Sequence, residues 1–187
     1  IHEEEGCYNH TMIFGQLLTG SSYDDEEERT IAGRNGLGIK LCNIFSKHFQ
    51  VKSVDPVNKK MFEQTWTNNM RVVSKPKIKD SRLVKGYTQV TWTPDFSRFG
   101  LTKYTSDIIQ LYTRHILDAA MISKVKVYFN NQLIPIKNLS QYSSMYISPT
   151  SDKLLIHGKG FEVLVTPSSE WQVISFVNGV YTKLGGQ

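Results

Sequence analysis

Apolar residues recur along this chain in two distinct periods, and the changes of period divide it into elements. Thr11-Met12-Ile13-Phe14-Gly15-Gln16-Leu17-Leu18 reads as a short helix, with Thr11 as N-cap and Ile13, Phe14, Leu17 and Leu18 on its buried face. Thr19-Gly20-Ser21-Ser22 ends it. Tyr23 to Arg29 carries one aromatic and no apolar period, which predicts a solvated loop. A glycine-punctuated stretch from Ala32 to Ser46 then feeds into an amphipathic helix with Leu37, Leu41, Ile44 and Phe45 on one face. A loop followed by such a turn is the arrangement expected of a lid over a ligand.

From Phe49 the period becomes alternating. Phe49 and Val51, then Met61, Phe62, Thr65 and Trp66, flank the turn-like Asp55-Pro56-Val57-Asn58 and predict a β-hairpin. Val72-Val73 continues it, Lys75-Pro76-Lys77 and Lys79-Asp80-Ser81 read as a basic loop, and Thr88–Thr93 reads as a strand ended by Pro94. Thr105 or Ser106 caps a core-packed helix through Ile108, Leu111, Tyr112, His115, Ile116, Ala119 and Ala120. Val125, Val127 and Phe129 lead into an Asn130-Asn131 turn and Leu133–Ile136, a second hairpin. After a polar stretch, Ser140–Thr150, strands at Leu154–His157, Phe161–Val165 and Trp171–Val177 predict an antiparallel meander.

The 187 residues are 40% hydrophobic, and no apolar run approaches the ~20 residues that span a bilayer. Cys7 and Cys42 make neither a disulfide framework nor a metal-ligand spacing and read as reduced thiols of an intracellular protein. The net charge of +5 conceals an asymmetry. Residues 1–28 hold eight acids and no Lys or Arg, so residues 29–187 carry twenty-two bases against nine acids, a net of +13 that favours a polyanionic partner. Ten bases lie in Lys47–Lys85 beside Trp66. They read either as a nucleic-acid surface or as lysines guarding strand edges. Ile1 opens on a polar segment and Gly185-Gly186-Gln187 is a turn signal, so both ends are expected to be cut.

The glycine element is the leading candidate for chemistry. Gly33, Gly36 and Gly38 leave amides unshielded, a helix start offers N–H groups to an anion, and Lys40 adds a charge one turn in. Arg34 and Asn35 are placed to donate to phosphate. Spacing alone leaves a phosphate cradle and a structural glycine turn both open. G-x-x-x-x-G-K-[ST] is absent, and G-x-x-G-x-G reverses the dinucleotide-binding order. Ser21 and Ser22 read as a helix-terminal turn or as hydroxyl partners of a ribose or phosphate. The acidic run Asp24–Glu28 reads as a solvated segment rather than a magnesium site. The five histidines lack metal-ligand or relay spacing, and no nucleophile–base pair or positioned general base stands out, so no catalytic or metal-binding residue is assigned.

Longer words in the sequence carry a resemblance. They are Ile13-Phe14-Gly15-Gln16-Leu17-Leu18-Thr19, Ser21, Tyr23-Asp24-Asp25, Gly33-Arg34-Asn35-Gly36 with Gly38, and Lys40 through Ser46. Gln64-Thr65-Trp66 with Asn68-Asn69-Met70, and Ile174 through Asn178 followed by Thr182 and Gly185-Gly186, complete the series. In these words, and over almost its whole length, the chain closely resembles the ATPase region of eukaryotic-type type IIA DNA topoisomerases.

The resemblance implies an α+β fold: the C-terminal part of a GHKL (Bergerat) two-layer α/β sandwich in residues 1–137, then the first strands of an S5-like transducer domain in residues 138–187. The composition shift around Pro135–Tyr142 is where that boundary is placed. It implies an ATP-dependent, strand-passing enzyme acting on double-stranded DNA as a homodimer closed by an ATP gate. It further implies action in the nucleus if cellular, or in the host cytoplasm or nucleus if viral, with no membrane partner. The implied ATP contacts are Gly20, Ser21, Ser22, Gly33, Arg34, Asn35, Gly36, Leu37, Gly38, Ile39 and Lys40. The implied general base, Mg²⁺ ligands and transducer lysine lie outside this chain. Gly20, Ser22, Ala32 and Leu37 depart from the family's usual Ser, Asn, Gly and aromatic residue, as in a divergent copy such as a large DNA virus encodes. Another GHKL ATPase of chaperone or mismatch-repair type, and a non-catalytic basic DNA-binding module, are the alternatives.

Overall fold

The computed structural model describes residues 1–3, 5–20, 33 and 35–183, and the loop expected at Tyr23–Arg29, with its acidic run Asp24–Glu28, lies outside them. The chain packs as two compact units that part between Lys103 and Tyr104.

The first unit is a sheet faced by two short helices, α1 (Asn9–Gly15) and α2 (Gly38–Ile44). β1 (Ser46–Asp55) and β2 (Lys60–Thr67) form the expected hairpin, with Phe49 opposite Trp66 and Val51 opposite Gln64. Its turn is fixed by Asp55, whose Oδ1 accepts from the amides of Val57 (2.9 Å) and Asn58 (3.1 Å). β5 (Tyr87–Pro94) pairs antiparallel with the other edge of β1, and β3 (Val72–Val73) pairs with β2. The basic stretch expected as loop is in part strand: β4 (Lys77–Asp80) pairs with the start of β2, with all four side chains exposed. Its backbone ladder, not an apolar face, holds it there.

Alternate positions of β1 and β2 build the core of Phe49, Val51, Phe62 and Trp66, against which Phe14 of α1 and Ile39 of α2 pack. Trp66 is 1% exposed and stands edge-on to Phe49, so it is no stacking platform beside the lysines. Gly15 lets α1 approach this ring, since a Cβ there would lie 3.0 Å from Trp66 Nε1. The expected helix start at Thr11 is corrected. Asn9 opens α1 after an uncapped Tyr8, and the Thr11 hydroxyl instead donates to Oε1 of buried Gln64 at 2.6 Å. Ile13, Leu17 and Leu18 are exposed, leaving Phe14 as the anchor.

The second unit is organised by α3 (Ser106–Ser123), capped as expected by Thr105, whose Oγ1 accepts from the Ile108 amide. Its covered face agrees with the expected one only at Ala120, which is buried, and at Ile108 and Ile116, which are half-buried. Leu111, Tyr112, His115 and Ala119 are exposed, while Asp118 and Ala120 are buried with Leu117 and Met121 alongside. β6 (Tyr128–Phe129) and β7 (Gln132–Leu133) turn through Asn130 and Asn131, both with positive φ. The polar stretch contains a helix, α4 (Leu139–Ser143), capped by Asn138 Oδ1 accepting from the Gln141 amide at 2.9 Å. The last strands form two separate hairpins rather than one meander: β8 (Leu154–Gly158) with β9 (Phe161–Val165), and β10 (Ser175–Val177) with β11 (Val180–Thr182).

Ala120, Ile136 and Tyr142 share one hydrophobic cluster in this unit. Asp118 accepts from Tyr142 Oη at 2.5 Å and from Arg114 Nε at 2.8 Å. The Arg114 guanidinium lies 5.2–5.7 Å from the ring centres of Tyr142, Tyr146 and Tyr181. Among the described residues no helix is long and apolar enough to cross a membrane.

Candidate nucleotide site

The glycine turn and the end of the Gly15–Gly20 segment meet in the first unit. Gly36 has φ +59°, a conformation that an L side chain rarely adopts, and it enters α2 through Leu37. A Cβ on Gly36 would stand 3.0 Å from the Gly20 amide nitrogen and 3.2 Å from Gly20 Cα. Two backbones therefore touch where a side chain would part them. Gly38 is the first residue of α2 and lacks the positive φ that its sequence permits.

Lys40 sits at this junction. It is 2% exposed, and its Nζ donates to Gly36 O at 2.7 Å and to Thr19 Oγ1 at 2.5 Å. Burial holds its pKa below the ordinary lysine value. Its described acceptors are neutral, so the ammonium is desolvated without a described counter-charge, an environment in which an anionic oxygen is strongly favoured. One turn further on, Asn43 is fully buried; its Nδ2 donates to Phe14 O at 3.0 Å and its Oδ1 has no partner among the described residues. The C-terminal end of α2 is held by Asn69, whose Nδ2 donates to Ile44 O at 3.0 Å from a turn in which Asn68, Asn69 and Met70 all have positive φ.

The buried face of α2 is thus polar, carried by Lys40 and Asn43, and the expected apolar face is corrected: Leu41 is exposed and Leu37, Ile44 and Phe45 are half-buried. Of the candidate residues, Gly20, Gly36 and Lys40 come together. Gly33 and Asn35 lie exposed in the approach, Leu37 and Gly38 start the helix, and the Ile39 side chain turns into the core. Ser21, Ser22 and Arg34 lie outside the described residues. Sequence reasoning missed Thr19 and Asn43, although both stand in the long matching words, and Asn43 follows Lys40 by three positions, one helical face. No group of three or more His, Cys, Asp or Glu among the described residues could hold a metal ion.

No protein-family model matches the chain. Over 187 aligned residues it is 44% identical to DNA topoisomerase 2 of Invertebrate iridescent virus 6, covering 96% of this chain, and it is 40% identical to DNA topoisomerase 2 of Bombyx mori over 100% of the chain. It spans 16% and 13% of those proteins. Among solved structures it matches the ATPase region of Saccharomyces cerevisiae topoisomerase II with a TM-score of 0.89 and 37% identity, covering 98% of this chain and 50% of that one. Shared fold and long shared words together define the class, an ATPase region of the GHKL type. Within it, the chain belongs to the DNA topoisomerase 2 family.

Proposed function

We propose that this chain contributes the phosphate-binding side of the ATP pocket in a type II DNA topoisomerase that passes one duplex through another as a homodimer. The carrying observation is the junction of Gly36, Gly20 and Lys40: a backbone cradle that a Cβ would fill, with a buried ammonium against it. These features fit a phosphate chemically. Gly20, Ser21, Ser22 and Gly33 through Lys40 are the residues proposed to hold it, with Mg²⁺ bound by groups elsewhere in the protein. When bound, ATP supplies the free energy for closing and resetting the gate. The residues of this chain desolvate and orient the phosphates and transmit their presence through α2 to the sheet. Action inside the cell, on double-stranded DNA, belongs to the same proposal.

Identity of 37% to a topoisomerase ATPase region over 98% of the chain favours this reading over a chaperone or mismatch-repair ATPase. The burial of Trp66 speaks against the bare DNA-binding module, because the aromatic beside the basic segment is sealed in the core. In the full-length protein, Lys40→Ala and Gly36→Val are each expected to abolish ATP-dependent relaxation of supercoiled DNA. Undiminished relaxation by both variants overturns the proposal.

A further inference from the structure

Thr19 is absent from the residues proposed to touch nucleotide, yet it is the side chain that meets the Lys40 ammonium, at 2.5 Å. Its hydroxyl also makes a long contact to Gln16 O, 3.5 Å, so the donor hydrogen points back to the end of α1 and a lone pair faces Lys40. The other described acceptor is Gly36 O, four residues before Lys40 and at the left-handed glycine. An ammonium has three hydrogens and a flexible four-carbon stem, and two described acceptors, Gly36 O and Thr19 Oγ1, engage two of those hydrogens and restrict where the third points. We infer that Thr19 is a positioning residue for nucleotide binding: it anchors Lys40 so that the remaining ammonium hydrogen is presented to a phosphate oxygen.

This rests on the reading of the junction as a phosphate site. The chemistry is that of preorganisation. A lysine side chain surrenders considerable rotamer freedom when it is fixed, and Thr19 with Gly36 imposes that loss on folding rather than on ligand capture. The Gly20–Gly36 backbone contact keeps the two acceptors in step, because Thr19 adjoins Gly20 in the chain. Thr19 would thereby act on the phosphates alone, with no effect on the nucleoside.

The test uses the full-length protein and calorimetric or NMR titration with ATP and, separately, with adenosine. Thr19→Val keeps the shape and removes the acceptor. It is expected to weaken ATP about tenfold or more, the effect of losing one hydrogen bond to a charged group, and to leave adenosine unchanged. Thr19→Ser, which retains the hydroxyl, restores ATP affinity. In a Lys40→Met background the Thr19→Val change has no further effect on ATP. Should the valine variant fail to fold, Thr19→Ala removes the acceptor without the branched methyls and serves in its place.

Wild-type affinity for ATP in Thr19→Val overturns the inference while leaving the phosphate site standing. Equal weakening of ATP and adenosine, unrescued by serine, also overturns it by making Thr19 merely structural. Absence of saturable ATP binding by the wild-type protein removes the phosphate site itself, and the inference with it.

Discussion

Asn43 Nδ2 donates to Phe14 O at 3.0 Å and so ties the last turn of α2 to the last turn of α1. Asn43 is fully buried and Phe14 packs against the core over the sheet. Asn43→Ala is expected to destabilise the protein by about 1–3 kcal/mol through the stranded carbonyl. Asn43→Asp should be worse, because it sets a carboxylate oxygen against that carbonyl in a buried site. Urea denaturation of the two variants checks the order, and equal stabilities would dismiss the amide as the binding group.

Gly36 and Gly38 separate backbone strain from mere proximity to the site. Gly36→Ala forces a side chain into φ +59° and against the Gly20 backbone, and is expected to lower stability by ~1–2 kcal/mol. Gly38→Ala meets nothing within 4 Å at the first helical position and is expected to hold or raise stability by up to ~1 kcal/mol. Thermal melts of the pair read the difference directly.

In the second unit, Asp118 is a buried carboxylate with two donors, Tyr142 and Arg114. Tyr142→Phe deletes one donor and should destabilise by ~1–2 kcal/mol, while Arg114→Met strips the charge partner and should destabilise by about 3 kcal/mol. The double replacement Arg114→Met with Asp118→Leu is expected to recover much of that loss. Chemical denaturation of the three variants tests the ranking.

Burial first, and the bond to Asp118 second, push the Tyr142 hydroxyl far above the ordinary phenol value of 10.0. The folded state therefore keeps this group protonated after the unfolded chain has lost its proton. Its contribution is complete below pH 10.0 and falls as pH rises beyond that value. Melting temperature is expected to decline above that point in the wild type and to decline less steeply in Tyr142→Phe. Parallel alkaline profiles would dissociate the fold from this phenol.

The elements legible in the sequence are those whose signal is local. Asp55 makes its own turn, Thr105 caps its own helix, and Asn130-Asn131 supplies two left-handed residues in succession. β4 was hidden because its support is a ladder to β2, and a strand exposed at every position need show no apolar alternation. α2 inverted the apolar-in rule because its buried face is spent on Lys40 and Asn43, whose partners, Thr19 and Phe14, are remote in sequence. α3 shows the same effect, since Asp118 is buried by virtue of Tyr142, twenty-four residues away. Periodicity counts apolar residues and cannot see a polar group satisfied by a distant hydrogen-bond partner. The site was legible as a glycine turn with a lysine. That Thr19 closes on it was not, because nothing in a threonine's own neighbourhood announces a lysine twenty-one residues on.

The seating of Gly15 against the Trp66 ring also gives the protein an internal optical probe. Trp66 is sealed, whereas Trp92 is 45% and Trp171 94% exposed, so an aqueous quencher reaches the latter two and spares the first. The residual, blue-shifted emission then belongs to the indole on which α1 rests. Any lifting of α1, the helix that leads to Thr19 and Gly20, is written in its colour.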